Sequence, residues 1–329
     1  MSSEIILSII IPAYNNPDKL EALCHSLHSQ FNKEVEVLVI DDGSIISLRE
    51  LVDRFGFIYF YKENSGPASS RNFGAKLSRG KYFLFLDSDT VMPEGMLEKI
   101  LYAIKIGHAE ICSIFYSEKS NNCGVGQQFK AYFDYFHNCH NVSEGKILSL
   151  QGSSCFFKKN VFDELGGWAE NFLGATIENE EFANRINKDS RYEIIFKPDL
   201  NVSHNFQDLK GLLKTIFQRS IIWTQLKITK TIDFDGLVRT KKTAWVTLQS
   251  FFILVFLVFT VFSYLWLYLF ATCLIIYFLG NLEFYIFLYK RCNFLDFASY
   301  NFVQYLFHLS VSLGAIIGLM TFKVYKFKY

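Results

Sequence analysis

Two carboxylates set the chemistry that this chain can do. Asp87 and Asp89 close an uncharged run, Tyr82-Phe83-Leu84-Phe85-Leu86, which is long enough for one buried strand. Side chains two residues apart on an extended chain point the same way. Both acids can therefore converge on one hard cation, and a cation held there can hold a diphosphate. A strand of this composition belongs in the middle of a parallel sheet, and its carboxyl end is where open α/β sheets keep their ligands.

The elements that must position this pair lie on both sides of it. Residues 5–11 read as a central strand stopped by Pro12, and a helix follows with Asp18 in its first turn and Leu20, Leu23 and Leu27 at helical spacing. Residues 34–40 form a second strand ending in Asp41-Asp42-Gly43-Ser44, and residues 57–61 a third. The turn cluster Glu63-Asn64-Ser65-Gly66-Pro67 leads into a helix over residues 68–77. Beyond the acidic pair come a helix at 96–106 and a strand at 110–116, then a stretch from 121 to 141 with no assignable pattern. Residues 148–157 hold Gln151-Gly152-Ser153 between apolar flanks, residues 192–196 form a last strand before Pro198, and His204 follows. Alternating strands and helices imply a doubly wound sheet with its polar clusters along one edge.

Composition bounds the rest. Half of the 329 residues are apolar, and the net charge of +1 by itself says nothing about partners; no nucleic-acid partner is expected. Residues 243–282 carry no charged side chain. About 40 such residues make ~60 Å of helix, twice the ~30 Å of a bilayer core. Residues 302–322 are again apolar apart from Gln304, His308 and small hydroxyl residues. Between them and the sheet, residues 206–242 place eight Lys or Arg against three Asp among Leu, Ile, Phe and Trp223, a basic amphipathic segment suited to an anionic leaflet. The seven cysteines have no zinc spacing and fit reduced thiols in a cytosolic compartment. No secretory leader is read at the N-terminus, which makes the sequons at Asn141 and Asn201 chance matches.

Four ordered stretches carry a resemblance. Ser8-Ile-Ile-Ile-Pro-Ala-Tyr-Asn15, Val39-Ile-Asp-Asp-Gly-Ser44, Asn64-Ser-Gly-Pro-Ala-Ser-Ser-Arg-Asn-Phe-Gly74 and Leu86-Asp-Ser-Asp-Thr90 resemble family 2 glycosyltransferases of the GT-A fold. The likeness covers residues 4–205. It implies an α/β, Rossmann-like nucleotide-sugar domain over residues 1–205, an interfacial segment at 206–242, and a membrane domain of two or three spans at 243–329. Pro12, Tyr14 and Asp42 fall on the family's nucleotide contacts, with Tyr14 stacking on the base and Asp42 accepting from a uracil imide. Arg71 matches a basic residue near the diphosphate. Asp87 and Asp89 match the metal motif, where Mn2+ or Mg2+ would bridge carboxylate and phosphate, and His204 matches a histidine near the metal or diphosphate.

On the acceptor side the chain departs from the family's pattern. Where members carry an acidic motif that takes the acceptor's proton, this chain has Glu178-Asn179-Glu180-Glu181-Phe182-Ala183-Asn184-Arg185. Asparagine cannot take a proton at useful pH, which leaves Glu178 first and Glu180 second as candidate bases. Gln151, Gly152, Ser153 and Trp168 are expected to line the sugar and acceptor pocket. Positive charge at Arg239, Lys241, Lys242, Lys290 and Arg291 would place both flanks of the first apolar stretch in the cytoplasm, on the side of the catalytic domain.

The expected activity is inverting, metal-dependent transfer of a sugar from a nucleoside diphosphate, UDP foremost. The acceptor would be a lipid-linked glycan at the cytoplasmic membrane, in cell-surface polysaccharide synthesis. Two alternatives stand beside it: an enzyme that charges a polyprenyl phosphate with one sugar, and a non-catalytic nucleotide- or glycan-binding membrane scaffold, which Asn179 would favour.

Overall fold

The computed structural model describes residues 4–107, 109–170, 177–229 and 240–321, with side chains between 240 and 242 left aside. Two compact units divide these residues: one runs up to Asn121 and resumes over Asn138–Asn205, and the other joins Asn122–His137 to the chain from Phe206 onward.

In the first unit the chain runs β1 (Leu7–Ala13), α1 (Pro17–His28), β2 (Val35–Asp41), α2 (Arg49–Arg54), β3 (Ile58–Tyr61), α3 (Pro67–Leu77), β4 (Tyr82–Leu86), β5 (Thr90–Val91), α4 (Met96–Lys105) and β6 (Ile111–Ser120). After α5 (Val125–Asn138), most of which belongs to the second unit, it returns as β7 (Gly145–Ile147), β8 (Ser154–Lys158), α6 (Lys159–Glu164), α7 (Glu178–Lys188) and β9 (Ile194–His204). The sheet order is β3-β2-β1-β4-β8-β6-β9-β5, with β7 on β9. Strands β1 to β4 pair parallel, whereas β8 is antiparallel to both β4 and β6. The carboxyl ends of β1, β2 and β4 therefore lie side by side, each followed by one of the polar clusters.

Two prolines expected to end strands lie inside them. Pro12 pairs with Ile40 in β2. The Ala13 carbonyl accepts from Asp42 N on the β2 side, so Pro12 turns its missing N–H toward β4, whose pairing with β1 has already ended at Ile10. Pro198 sits in an irregularity of β9, between the pairs Ser113↔Phe196 and Phe115↔Asn201. A bulge tolerates proline, and the strand continues to carry His204 to Thr90.

Across the back of the parallel strands, Ser8 and Arg79 converge on Glu36. Ser8 Oγ donates to Oε1 at 2.6 Å, Arg79 N to the same oxygen at 2.6 Å, and Arg79 Nε to Oε2 at 2.8 Å. Burial alone would raise the Glu36 pKa, and these donors lower it below the ordinary 4.5. A depressed carboxylate stabilises the fold above the ordinary glutamate range and loses that contribution as pH falls through its own value. Glu36→Ala, which strands the buried Ser8 hydroxyl, is expected to cost about 2 kcal/mol at neutral pH and progressively less as pH falls below the ordinary glutamate range, as read by urea denaturation over a pH series.

The second unit is helical: most of α5, then α8 (Leu209–Ile228), α9 (Thr240–Phe259), α10 (Leu265–Gly280), α11 (Leu282–Tyr289) and α12 (Phe294–Met320). Phe129, Tyr132 and Phe136 of α5 share a core with Leu212, Ile216, Phe284, Phe287, Tyr300, Val303 and Phe307. The unpatterned stretch of the sequence is thus a helix whose apolar side chains recur at helical spacing. Among the described residues one helix, α12, is long and apolar enough to cross a membrane, and α10 with α11 would make a second across a 61° bend. Arg239 lies outside the described residues, as does the end of the 302–322 run.

Candidate functional site

The site is built from loops that follow three parallel strands. After β1, Asn15 adopts φ 50° and locks onto the loop after β2: its N–H donates to Ser44 Oγ at 3.0 Å, and its Oδ1 accepts from Ile45 N at 2.8 Å. Asn16 Nδ2 donates to Ser88 Oγ at 2.5 Å, which ties the first loop to the acidic pair. Tyr14 beside them is 50% exposed, a free aromatic face at the sheet edge, while Pro12 is buried in β1.

The two aspartates at the end of β2 divide the work. Asp41 is wholly buried and accepts from Ser44 N, Leu48 N and Tyr59 Oη, so it holds the fold. Asp42, expected to meet a base, is 4% exposed and already engaged: Oδ1 takes Lys62 Nζ at 2.6 Å and Ser65 N at 3.1 Å, and Oδ2 takes Gly66 N at 2.8 Å. Its carboxylate thereby fixes the turn that feeds α3. Gly43 at φ 82° lets that turn approach, since a Cβ there would lie 2.8 Å from Asn64 N. Lys62 was not legible as a site residue, because its acidic partner is distant in sequence.

At the end of β4 the acidic pair splits. Arg71 reaches from α3 and donates Nη2 to Asp87 Oδ1 at 2.6 Å; its Nη1 lies 3.8 Å from Glu178 Oε1 at the start of α7, and the guanidinium sits 5.2 Å over the Trp168 ring. Arg71 is 1% exposed, so it is a buried joint between the acidic pair and α7 rather than a surface contact for phosphate. Burial opposes its charge, yet the carboxylates of Asp87 and Glu178 hold the guanidinium protonated, above its ordinary value. Asp89 turns the other way, with Oδ1 3.2 Å from His204 Nε2 and Oδ2 3.7 Å from Lys19 Nζ. Burial would raise the Asp89 pKa, but the His204 contact and Lys19 bring it below its usual value.

Tyr116, unremarkable in the sequence, completes this side. Its ring lies 4.3 Å from that of His204, its hydroxyl meets Ser153 Oγ, and burial together with the charges of Asp89 and Asp87 pushes its pKa well above the usual range. Ser153 in turn gives its carbonyl to Asp87 N at 2.9 Å, and Gln151 Nε2 donates to Ser153 Oγ at 2.8 Å. The Gln151-Gly152-Ser153 loop is therefore a floor beneath the acidic turn. Asn179 packs on it, since a Cβ at Gly152 would fall 1.8 Å from Asn179 Oδ1.

Helix α7 shows what its acids can do. Glu178 is 3% exposed and faces Arg71. Glu181 forms a two-pronged pair with Arg185, whose guanidinium also donates to the Leu165 and Gly167 carbonyls and so holds the Gly-Gly-Trp turn. Glu180 lies two positions beyond Glu178, about 200° around the helix, so the two cannot face one substrate together. Trp168 is core, 4.5 Å from the Phe85 ring, rather than an open pocket wall. Asn72 binds its backbone on both sides and holds Glu170 Oε1 at 2.7 Å. Asn72 and Arg71 both lie in the third quoted stretch, but only the tertiary fold shows what they join.

Among the described residues no group of three or more His, Cys, Asp or Glu stands ready as a complete metal cage. The donors that are present, the carboxylates of Asp87 and Asp89 with the His204 imidazole beside them, suit a Mg2+ or Mn2+ ion that completes its shell with phosphate and water.

Comparison with known proteins bears on family and fold. Residues 8–166 match the family model described as glycosyl transferase family 2. A Haemophilus influenzae protein described as an uncharacterized glycosyltransferase is 38% identical over 170 residues, covering 49% of this chain and 56% of its own length. TuaG of Bacillus subtilis, described as a teichuronic acid biosynthesis glycosyltransferase, is 32% identical over 102 residues, or 29% of this chain and 40% of that protein. The chain spans between 14% and 56% of the length of the first curated relatives it matches. Among solved structures, the mannosyltransferase PcManGT from Pyrobaculum calidifontis, in complex with GDP-Man and Mn2+, aligns with a TM-score of 0.55 at 13% identity. That alignment covers 95% of this chain and 86% of the other, and the two share a fold.

Proposed function

This chain belongs to glycosyl transferase family 2, and from that premise we propose that it moves a sugar from a nucleoside diphosphate donor, UDP-linked, to an acceptor presented at a membrane. The observation that carries the reading is the acidic turn after β4, where Asp87 meets Arg71 and Asp89 meets His204 and Lys19 at the carboxyl edge of the parallel strands. Tyr14 offers the stacking face for the base, and Asp42 with Lys62 shapes the turn around it. Asp87, Asp89 and His204 would hold a Mn2+ or Mg2+ ion, which supplies charge for the departing diphosphate. Lys19, beside Asp89, adds a second positive charge on that side.

Transfer to a hydroxyl requires a proton acceptor, and we assign it to Glu178. It is the acid of α7 on the Arg71 side, and a single displacement with Glu178 as base inverts the sugar carbon. Glu178→Gln is expected to lower kcat by about 10²-fold or more, whereas Glu180→Gln leaves it within about threefold. Stopped assays with labelled donor read both variants. Asn179 favours a second reading, because an amide beside the Gly152 loop suits a nucleophile that is already ionised, as in a polyprenyl phosphate. Under that reading Glu178→Gln keeps most of its activity and the product is a monosaccharide phospholipid. Membrane placement is supported by the uncharged run over residues 243–282, which holds the apolar α10 and most of α9, and by TuaG's description within a polysaccharide pathway. Purified protein with Mn2+ that neither hydrolyses nor transfers any sugar across a panel of UDP, GDP and dTDP donors would overturn the proposal.

A further inference from the structure

Lys290 and Arg291 precede α12 in the sequence and Lys323, Lys326 and Lys328 follow it, so a single crossing there would separate two positively flanked ends. Inside the second unit α12 is a core helix. No residue from Val303 to Ser312 is exposed. Phe129, Tyr132 and Phe136 of α5 and Leu212 and Ile216 of α8 share its core, and α9 is joined to it by hydrogen bonds from Tyr305 Oη to Ser250 O at 3.2 Å and Ser312 Oγ to Thr247 O at 2.7 Å.

The contact with α8 fixes a register. Gly314 and Gly318 are spaced as in the small-residue motif that lets helix backbones touch. A Cβ at Gly314 would lie 2.5 Å from Phe217 O and 2.9 Å from Ser220 Cβ; one at Gly318 would lie 2.7 Å from Ile221 O and 2.9 Å from Thr224 Cβ. One turn further on, Gln225 Nε2 donates to Thr321 O, and to Thr321 Oγ1 at 3.2 Å. The pairs advance in the same direction on both helices, so α8 and α12 run parallel, with Lys214 level with Val311 and Lys210 level with Phe307. The 27 residues of α12 make about 40 Å, and Phe307 is at their centre. Lys210 and Lys214 are exposed. Were α12 a span, both lysines would sit in the middle of the hydrocarbon, where a lone charge is strongly disfavoured.

The hairpin of α9 and α10 has the opposite character. The last two turns of α9 and nearly all of α10 expose apolar side chains, among them Leu257, Leu265, Leu274 and Ile275, and between the helices Val261 is 86% exposed. No charge occurs in it from Thr243 onward, and acyl chains are the partner that such a surface fits.

We propose that the α9–α10 hairpin is the lipid-embedded surface of this unit, and that α12, zipped to the basic helix α8, stays outside the hydrocarbon on the side of α8. This rests on the membrane placement proposed above. The test uses inverted membrane vesicles holding the full chain with a C-terminal epitope tag, and a membrane-impermeant maleimide. In a Cys123→Ser background, which removes the exposed native thiol, Lys214→Cys and Leu274→Cys are compared with the same proteins unfolded in detergent. Lys214→Cys is expected to label to at least half of its unfolded control and Leu274→Cys to less than a tenth, with the tag open to protease from the outside of the vesicle. A shielded Lys214→Cys, or a protected tag, would overturn the assignment of α12 while leaving the membrane reading in place. Labelling at both positions would overturn the hairpin and the membrane reading together.

Discussion

Asp89→Asn is expected to lower kcat/KM for sugar transfer by at least about 10²-fold, the scale seen when one stabiliser of developing charge is removed. The substitution keeps shape and removes charge. It takes the counter-charge from Lys19 at 3.7 Å, the carboxylate partner from His204 at 3.2 Å, and one oxygen donor from the proposed metal shell. The fold should survive, because the Asp89 backbone carbonyl still accepts from Asn205 N at 2.9 Å and the turn keeps its Thr90 N to Asp87 O bond at 3.0 Å. The loss should shrink little at raised Mn2+ if Asp89 also orients the diphosphate, and partly recover if its role is metal affinity alone. Steady-state rates across a Mn2+ series, alongside melting curves, distinguish chemistry from folding.

Arg71→Met is expected to act on both. It leaves Asp87 and Glu178 facing a buried position with no cation, and breaking a buried pair from one side costs about 3–5 kcal/mol. A fall in Tm on the order of 10 °C follows. Arg71→Lys should recover part of this, since a point charge can approach Asp87 but cannot fork toward Glu178. The double variant Arg71→Met with Glu178→Gln should be more stable than Arg71→Met alone, because one of the stranded charges is gone. That non-additivity is the signature of a joint between the acidic turn and α7, and independent effects would refute it.

The parts of the site that were legible in the sequence share one property: Asp, Asn, Gly and Ser at the ends of apolar strands. Asp42, Asp87 and Asp89 announce themselves in that way, whereas Tyr14 stands out only through the family resemblance; the strands before them read directly because they are buried on both faces. What each acid holds was not legible. Lys62 and Asp42, Arg71 and Glu178, and Tyr116 and His204 meet only once the sheet has formed, since each pair is separated by at least one whole element. Prolines misled the strand boundaries where an ended ladder or a bulge absorbed the missing donor, as at Pro12 and Pro198. Apolarity alone does not decide the role of α12: it has the composition of a span, and a helix packed among α5, α8 and α9 needs the same residues.

Calorimetric titration of the intact protein with UDP, with and without Mn2+, tests the central claim most directly. The account predicts saturable binding that tightens at least tenfold with the metal and loses that gain in Asp89→Ala. Binding that is indifferent to the metal in the wild type, or no binding of UDP, GDP or dTDP under either condition, would contradict it.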